Sequence, residues 1–383
     1  METIFDYGVE EPRQVYKHKR VFSDTQTIRF FEAFAGIGCQ TMALKRLNIP
    51  FVSVGISEID KYALLSYNAI HGETNNYGDI AKMDEIPPCD ICTWSFPCTD
   101  ISAAGKQKGM VEGTRSNYGY DFLEVVKRSS YKPRVLIMEN VEALLSDKFR
   151  KDFGKIYMVT ERMGYKNFVK VMNAKDYGVA QNRERVFMVS ILRTKENPEP
   201  EYEFVAPMVL TKRLKDYLEE KVDEKYYLSE KAIKGFTERK ERNQENGNGF
   251  GFVPKTGNDI GFAIKTTMGT RPDDNFITEP ILNQVAQLGT KGIHESAGRV
   301  YGTNGLYPTI NTMGGGQREP KIAESTYRIR KLTETECGRL MSIDDEDIEK
   351  MKAVVSRSQM YAQFGNGIVV DVFAAVLQNL FPQ

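Results

Sequence analysis

The fold of this 383-residue chain is decided by the stretch Phe30-Phe31-Glu32-Ala33-Phe34-Ala35-Gly36-Ile37-Gly38-Cys39. Its first half has the apolar, aromatic composition of a buried strand, and a helix is predicted to begin near Cys39. Glycines at a strand-to-helix turn let a ligand approach the backbone closely, and the helix N-terminus adds partial positive charge. The turn alone is a weak signal, because a dinucleotide-binding fingerprint would place a third glycine where Thr41 stands.

Short apolar runs alternate with helical-looking stretches from Arg29 to about Arg193. Strands are predicted at Phe30–Ala35, Phe51–Ser57, Asp90–Ser95, Val135–Glu139, Phe168–Asn173 and Arg185–Leu192. Helices are predicted to begin near Cys39, Asp60, Asn117 and Val141, and the last is predicted to end near Met163. This order is typical of βαβ units and predicts an α/β fold with a mostly parallel, doubly wound sheet. Such sheets bind ligands outside the carboxyl ends of their strands.

The composition changes along the rest of the chain. A polar N-terminal leader carries a basic run at 17–20, which is interpreted as solvated in preference to a phosphate-contacting arm. Residues 246–322 hold 14 of the 31 glycines, which indicates a loop-rich, irregular β module. Strand-then-helix character returns near residue 355, so the C-terminus is predicted to fold back onto the first domain. The predicted division is a leader at 1–28, a catalytic domain at 29–205 plus 343–383, and a recognition domain at 206–342.

Charge and composition exclude several classes of protein. The chain has 52 Lys+Arg and 52 Asp+Glu, and 41% of its residues are hydrophobic, as in ordinary globular proteins. It has no apolar run near the roughly 20 residues that a spanning helix needs, and no secretory signal. Five cysteines, an odd number, do not suit a disulfide framework. A cytoplasmic protein is predicted, and a neutral sum does not exclude nucleic acid, because a polyanion responds to the local charge.

Two carboxylates that come after the glycine turn in the chain are candidate ligand-binding residues. Glu58 ends the second strand, about twenty residues on, where an acid can accept hydrogen bonds from both ribose hydroxyls of a nucleoside. Asp79, next to Ile80, could accept from an adenine amino group. A helix N-cap is an equally good interpretation of Asp79.

A cysteine stands just past the third strand, in the run Trp94-Ser95-Phe96-Pro97-Cys98. Free cysteines are usually buried hydrophobes, but Cys98 follows a strand end and is rigidified by Pro97, so it is predicted to face a cleft. Cys89-x-x-Cys92 with Cys98 also raises a zinc hypothesis. That hypothesis is disfavoured because no fourth Cys or His lies nearby, and no metal is predicted.

Two further polar clusters lie at strand ends, Glu139-Asn140-Val141 and Gln181-Asn182-Arg183-Glu184-Arg185. A carboxylate buried at a strand end is costly unless it is hydrogen-bonded, so Glu139 is predicted to face a polar ligand. For the two arginines, the plain alternative is a surface salt bridge with Glu184.

Five motifs stand in the order Phe34-x-Gly36-x-Gly38, Pro97-Cys98, Glu139-Asn140-Val141, Gln181-x-Arg183-x-Arg185 and Gln363-Phe364-Gly365-Asn366-Gly367. In this order the chain resembles the DNA (cytosine-5) methyltransferase family of bacterial and phage modification enzymes, over about residues 29–193 and 326–381. It departs from the family where Ser95 and Thr99 replace a common Gly and Gln. It also departs where the run that starts at Ser342 replaces a Gly-Phe-Pro continuation.

The resemblance implies a Rossmann-like S-adenosylmethionine-dependent catalytic domain with a smaller β-rich recognition domain. It implies a thiolate of Cys98 that adds to carbon 6 of a flipped-out cytosine, so that carbon 5 can take up a methyl group. Glu139 would serve N3, Arg185 would donate to O2, and Arg183 would support the site or the phosphate backbone. The implied cofactor-binding residues are Phe34, Ala35, Gly36, Ile37, Gly38, Glu58, Ile59, Asp79, Ile80, Pro97, Asn366 and Gly367.

The implied DNA-binding residues are Ser102, Lys106 and Gln107 in a loop beside the flipped base, and Gln317 and Arg318 in the glycine-rich module. The resemblance further implies a monomer that acts on duplex DNA in the bacterial cytoplasm, at the nucleoid, with a cognate restriction endonuclease as its functional partner. Two alternatives remain at this point, an RNA cytosine-5 methyltransferase and a catalytically silent nucleic-acid-binding homologue.

Overall fold

A computed structural model describes most of the chain. The described residues are 21–23, 25–98, 100–101, 109–110, 113–245, 251–280, 284–287, 299–302, 322–323 and 327–381.

A six-stranded sheet forms the centre of the molecule, in the spatial order β2-β1-β3-β4-β7-β5. These strands are β1 (Ile28–Ala33), β2 (Phe51–Ser57), β3 (Ile91–Trp94), β4 (Val135–Val141), β5 (Tyr165–Asn173) and β7 (Glu184–Leu192), with the two-residue β6 (Gln181–Asn182) outside this sheet. Five of these strands run in the same direction, and β7, which lies between β4 and β5, is antiparallel to both. The predicted α/β fold with a mostly parallel sheet is therefore confirmed.

Side-chain alternation along β1 divides the core into two layers. Phe30 packs into one buried cluster and Phe31 into another, because successive side chains of a strand point to opposite faces of the sheet. The layer on the Phe30 side contains the C-terminal helices, and the layer on the Phe31 side contains the helix that follows β3. The sheet is thus covered on both faces, as mostly parallel sheets require.

Helices before residue 165 connect the parallel strands. They are α1 (Cys39–Arg46), α2 (Lys61–His71), α3 (Tyr118–Arg128) and α4 (Arg150–Arg162). The predicted start of a helix near Val141 is wrong, because β4 continues to Val141, where it pairs with Arg185 of β7. A 3-10 turn at Glu142–Leu145 follows, and α4 begins only at Arg150.

The end of the chain packs against its beginning. The C-terminal helices are α6 (Glu334–Leu340), α7 (Asp345–Val354), α8 (Arg357–Asn366) and α9 (Val370–Gln378). Helix α9 lies on α1, and Phe22 donates its backbone N–H to the carbonyl of Leu380 at 3.1 Å. Asp371 of α9 pairs with Arg46 of α1 at 2.5 Å.

One segment of the described chain, Arg357–Gln378, has the length and apolar composition of a membrane-spanning helix. Of its most apolar window, 72% is buried inside the protein. The backbone is also interrupted between α8 and α9. These features are typical of core helices.

Between β7 and α6, the described part of the chain is largely irregular. It contains α5 (Glu230–Glu245), β8 (Gly261–Phe262), β9 (Phe276–Pro280), β10 (Gln284–Gln287), β11 (Arg299–Gly302), β12 (Ile322–Ala323) and β13 (Tyr327–Lys331). Strand β13 pairs with β9, and β8 pairs with β6 beside the central sheet. The rings of Phe236, Phe252 and Phe276 form a small aromatic cluster in this region.

Candidate active site

A cavity of about 590 Å³ lies at the carboxyl ends of β1, β2, β3 and β4. In the sheet, β2 lies on one side of β1 and β3 lies on the other, so the strand order reverses direction at β1. Doubly wound folds bind ligands at such a point. Fifteen of the residues predicted to bind cofactor or catalyse line it: Phe34, Ala35, Gly36, Ile37, Glu58, Ile59, Asp79, Ile80, Pro97, Cys98, Glu139, Arg183, Arg185, Asn366 and Gly367. Sequence positions up to 333 residues apart thus meet in one space.

Gly38 is the predicted cofactor residue that does not line the cavity. A Cβ atom on Gly38 would lie 2.4 Å from the His71 ring and 2.7 Å from the Tyr67 ring. Its φ of 76° also favours glycine. Gly38 therefore allows α1 to begin close against α2, and its contacts are with protein.

The glycine turn is held by the carboxylate of Glu58. Gly36 donates its N–H to Oε2 at 2.8 Å, and Asp60 donates to Oε1 at 2.7 Å. The Asn76 side chain bonds both the N–H and the carbonyl of Glu58, so the backbone of Glu58 is fixed as well. Burial raises the pKa of Glu58, and the backbone N–H groups oppose that shift.

His71 supports the same turn from below. Its Nε2 lies 3.0 Å from the carbonyl of Ile37, and its Nδ1 lies 3.0 Å from Nζ of Lys45. The carbonyl requires a donor at Nε2, and the ammonium requires an acceptor at Nδ1, so His71 is neutral. Burial lowers the pKa of His71 to about 4, which agrees with that assignment.

Asp79 caps a turn and also lines the cavity. Its side chain caps the 3-10 turn Ile80–Lys82 by accepting the N–H of Ala81 at 3.1 Å. The same residue lines the cavity, on the wall beside Glu58. The cap is observed, and contact with an adenine stays a prediction.

Cys98 lies in the cavity wall with an intermediate exposure, whereas the other four cysteines are buried. Burial raises the pKa of its thiol, and the charges of Arg185 and Arg183 oppose that effect. Cys89 and Cys92 are fully buried below the cavity. Within the residues that the structure describes, no three metal-ligating side chains cluster.

Glu139 and Arg185 form a pair beside Cys98. Nε of Arg185 lies 3.2 Å from Oε1 of Glu139, and the carboxyl group is almost entirely buried. Burial raises the pKa of Glu139, and the nearby arginines oppose the rise. The alternative of a surface salt bridge with Glu184 is wrong for Arg185. Its contact with Glu184 is to the backbone carbonyl, at 2.7 Å, and not to the carboxylate.

Arg183 has a different environment from Arg185. Its side chain is 3% exposed and donates to the carbonyls of Ile264, Gly365 and Gly367, at 3.0, 3.0 and 2.6 Å. Protein carbonyls accept from both of its terminal nitrogens, which favours the first of its two predicted roles, support of the site, over contact with the phosphate backbone. Arg183 thus joins three segments of the chain.

Sequence reasoning missed several residues that build this site. Asn140 donates from Nδ2 to the carbonyl of Phe96 at 3.0 Å and so fixes the turn before Cys98. It lies inside a recognised motif, which was the available signal. Asn76 and Glu32 gave no such signal, because their partners are distant in the chain.

Five predicted DNA-binding residues lie outside the described residues. They are Ser102, Lys106 and Gln107 of the loop beside Cys98, and Gln317 and Arg318 of the glycine-rich module. Residues 1–20 of the predicted leader and Thr99 also lie outside them.

Residues 28–382 match the family model of C-5 cytosine-specific DNA methylases, which is nearly the whole chain. The chain belongs to this family. The enzyme is 31% identical to the orphan methyltransferase M.SPBetaI of Bacillus phage SPbeta, over 92% of its own length and 97% of that protein. It is 29% identical to the type II methyltransferase M2.ScrFI of Lactococcus lactis subsp. cremoris, over 92% and 99% of the two chains.

Solved structures show the same fold for the enzyme at lower identity. The S. pombe Dnmt2 methyltransferase superposes with a TM-score of 0.63 at 20% identity, over 93% of this chain and 98% of the other. The Entamoeba histolytica methyltransferase EhMeth gives 0.65 at 15% identity, with the same coverage.

Proposed function

We propose that this chain transfers a methyl group from S-adenosylmethionine to carbon 5 of a cytosine flipped out of duplex DNA. One observation carries the proposal: Cys98 and the Glu139–Arg185 pair line the same cavity as Glu58 and the glycine turn. A nucleophile with pyrimidine-matching donors thus lies next to a carboxylate suited to a nucleoside. Family membership gives cytosine as the base and carbon 5 as the atom.

The residues around Glu58 fit the proposed cofactor. A Cβ atom on Gly36 would meet nothing within 4 Å, so the backbone there faces open space that a ligand can fill. Each oxygen of Glu58 accepts one N–H and keeps lone pairs for the ribose hydroxyls. Asp79 would accept from the adenine, with Phe34, Ile59 and Ile80 as apolar walls. When bound, S-adenosylmethionine supplies an electrophilic methyl group.

Cys98 and Glu139 would together activate the ring. The sulfur bonds to carbon 6, the electrons of the C5–C6 double bond move toward N3, and Glu139 gives its proton to N3. Burial raises the pKa of Glu139, which favours the protonated form that this step needs. Arg185 donates to O2, where negative charge develops.

Carbon 5 of the resulting enamine would bond to the methyl group as the bond between that methyl group and the cofactor's sulfur breaks, and N3 would return its proton to Glu139. Carbon 5 would then lose its own proton, for which we propose water as the base, and the returning electrons would re-form the C5–C6 double bond and expel the sulfur of Cys98 as a thiolate. Burial raises the pKa of the Cys98 thiol, so the rate of the addition step should increase with pH as the thiolate forms.

We also propose that the enzyme acts as a monomer in the bacterial cytoplasm, at the nucleoid, and that its mark protects DNA from a partner restriction endonuclease. A base inside a duplex cannot enter a cavity at the edge of a sheet, so flipping is part of the proposal. Among the relatives, M2.ScrFI is described as type II and M.SPBetaI as orphan, so the nuclease partner needs its own test. Loss of viability after deleting the gene in a strain that keeps the nuclease would support the pairing.

Sequencing 5-methylcytosine in DNA and RNA from expressing cells tests the reaction, the polymer and the target together. The expected result is one short DNA sequence methylated at one cytosine, and none with Cys98→Ala. A purified duplex that carries 5-fluorocytosine at that position should then form a covalent adduct that maps to Cys98. Methylation confined to RNA, or an active alanine variant, would refute the proposal.

A further inference from the structure

Three successive carbonyls before and at Cys98 are each held by one donor. The carbonyl of Phe96 accepts from Asn140, and the carbonyl of Pro97 accepts from Oγ of Ser116 at 2.8 Å. The carbonyl of Cys98 accepts the N–H of Ile101 at 3.0 Å. The peptide that carries the sulfur is thus fixed on both sides, and Ser116 supplies the contact immediately before it.

Ser116 is completely buried and engages this turn more than once. Its Oγ accepts the N–H of Asp100 at 3.4 Å while it donates to Pro97. The carboxylate of Asp100 in turn accepts the N–H groups of Arg115 and Ser116, at 3.0 and 3.4 Å. These hydrogen bonds join Asp100, which follows Cys98, to Arg115 and Ser116 at the start of the 3-10 turn.

The core determines where the Ser116 hydroxyl lies. Ser116 is in the 3-10 turn Arg115–Asn117, which leads directly into α3. Helix α3 is fixed on the sheet by Phe122, whose ring stacks on Trp94 of β3 at 4.7 Å. Strand β3 leads to Cys98. The ring of Trp94 therefore helps to fix the position of both helix α3 and the turn that carries Cys98. Neither Ser116 nor Asp100 lines the cavity.

We propose that Ser116 is a positioning residue for the nucleophile, which acts on Cys98 by holding the carbonyl of Pro97. The inference rests on the proposed function of Cys98. Removing the hydroxyl leaves a buried carbonyl without its donor, and the peptide plane between Pro97 and Cys98 then rotates toward another partner. That rotation changes the direction of the sulfur, and a misplacement of about 1 Å can slow a reaction by about 100-fold.

Ser129 offers a matched control for Ser116. It is also buried in the catalytic domain, donates from Oγ to the carbonyl of Val125 at 2.7 Å, and accepts the N–H of Ile86 at 2.8 Å. It lies at the far end of α3, away from the cavity. Ser116→Ala and Ser129→Ala therefore remove the same type of hydrogen bond from the two ends of one helix.

The test measures the rate of covalent adduct formation with the 5-fluorocytosine duplex, at excess enzyme and saturating S-adenosylmethionine. The affinity for S-adenosylhomocysteine is measured by calorimetry as a second readout. We expect Ser116→Ala to slow adduct formation at least tenfold and to change that affinity less than twofold. Ser129→Ala should leave both unchanged, although both variants lose some thermal stability.

Ser116→Cys keeps a donor at the same position but replaces the hydroxyl with a larger thiol that donates more weakly, so its adduct rate should lie between those of the wild type and the alanine variant. Mapping the adduct to Cys98 excludes the new thiol, and this variant serves if Ser116→Ala does not fold. A wild-type rate in either Ser116 variant, or equal slowing in Ser129→Ala, overturns the positioning role. No adduct in the wild-type enzyme would instead refute the proposed function itself.

Discussion

Ser342 is one of three non-glycine residues with a positive φ in the described part of the chain, together with Phe34 and Asn48. It follows α6 with φ of 59°, in the left-handed region that disfavours L side chains by roughly 1–2 kcal/mol. Its N–H bonds the carbonyl of Arg339 at 2.8 Å, which holds the turn closed. The family resembled by the sequence continues with glycine here, and the structure gives the conformational reason.

Ser342→Gly should therefore raise the free energy of unfolding, by roughly 0.5–1 kcal/mol after the greater freedom of glycine in the unfolded chain is subtracted. Urea denaturation followed by circular dichroism measures the change. Ser358→Gly, in the right-handed backbone of α8, is the control and should lose roughly 1 kcal/mol. Equal losses in both variants would contradict the assignment of strain to Ser342.

Glu139→Gln separates hydrogen bonding from proton transfer in the proposed reaction. The amide can still donate to N3 and accept from the exocyclic amino group, but it has no proton to give. Single-turnover formation of 5-methylcytosine should fall about 10²–10³-fold, while DNA affinity in a gel-shift assay changes little. Glu142→Gln, an exposed neighbour three residues on, should keep the wild-type rate. An unimpaired Glu139→Gln enzyme would remove the carboxyl group from the mechanism.

Sequence reasoning identified residues whose chemistry is unusual for their place in the chain. Cys98 follows a predicted strand and Glu139 ends one, and the carboxyl ends of parallel strands meet at one edge of the sheet. Arg185 lies near the start of β7, which reaches the same edge because β7 runs in the opposite direction. The roles of Glu32 and Arg183 could not be predicted, because both depend on which distant atoms the fold brings within bonding distance. Glu32 in particular looks like one polar residue in an apolar strand.

At the scale of elements, helix α1 receives its N-terminal cap from another element. Its N-cap residue is Gly38, which has no side chain to accept a hydrogen bond. Glu32 of β1 supplies the acceptors instead, by taking the N–H of Thr41 at 3.2 Å and its hydroxyl at 2.6 Å. Tyr67 of α2 adds a third donor at 2.9 Å. One carboxyl group thus links a strand and two helices below the glycine turn.

This buried carboxyl group should make stability depend on pH. Burial raises the pKa of Glu32 from 4.5 to about 7, so the folded chain keeps a proton that the unfolded chain has already lost between these values. Stability therefore decreases as pH rises through that window. Glu32→Gln does not titrate, and its amide can donate to the two hydroxyls, so it should be more stable than wild type at pH 8 by roughly 1–3 kcal/mol.

Urea midpoints of the wild type and Glu32→Gln at pH 5 and pH 8 test this expectation. The two proteins should agree within about 1 kcal/mol at pH 5, where the wild-type carboxyl group is neutral. Glu124→Gln on the exposed face of α3 is the control and should show no such difference. If the glutamine variant is less stable at pH 8, the three donors stabilise a carboxylate and the pKa is not raised.

Element boundaries were harder to predict than element types. A helix was predicted to begin near Val141, but Val141 is the last residue of β4, because pairing with β7 extends the strand. That pairing joins positions 135–141 to positions 185–191, and no local pattern encodes it. Helix α1, by contrast, begins at Cys39 as predicted, where the glycine turn marks the boundary within the sequence itself.

At the scale of the whole molecule, Gln181 and Arg183 connect the segment around Ile264 to the core. Gln181 donates to the carbonyl of Leu340 at 2.7 Å and accepts the N–H of Ile264 at 3.0 Å. Arg183 donates to the carbonyl of Ile264 and also to the carbonyls of Gly365, in the last turn of α8, and Gly367, just after it. The approach is close, since a Cβ atom on Gly365 would lie 2.3 Å from the backbone nitrogen of Thr266. The QxR part of the motif therefore joins three parts of the chain.

Arg183→Lys should show how much this connection contributes to stability. A planar guanidinium reaches three carbonyls in fixed directions, whereas a single ammonium cannot satisfy all three, so a buried carbonyl loses its donor. We expect the free energy of unfolding to fall by roughly 2–4 kcal/mol in urea denaturation. Arg339→Lys, which keeps the charge but loses the two-bond geometry of a surface pair with Asp345, should lose less than about 1 kcal/mol. Equal stability of Arg183→Lys and wild type would mean that the segment around Ile264 is held to the core by its apolar contacts alone.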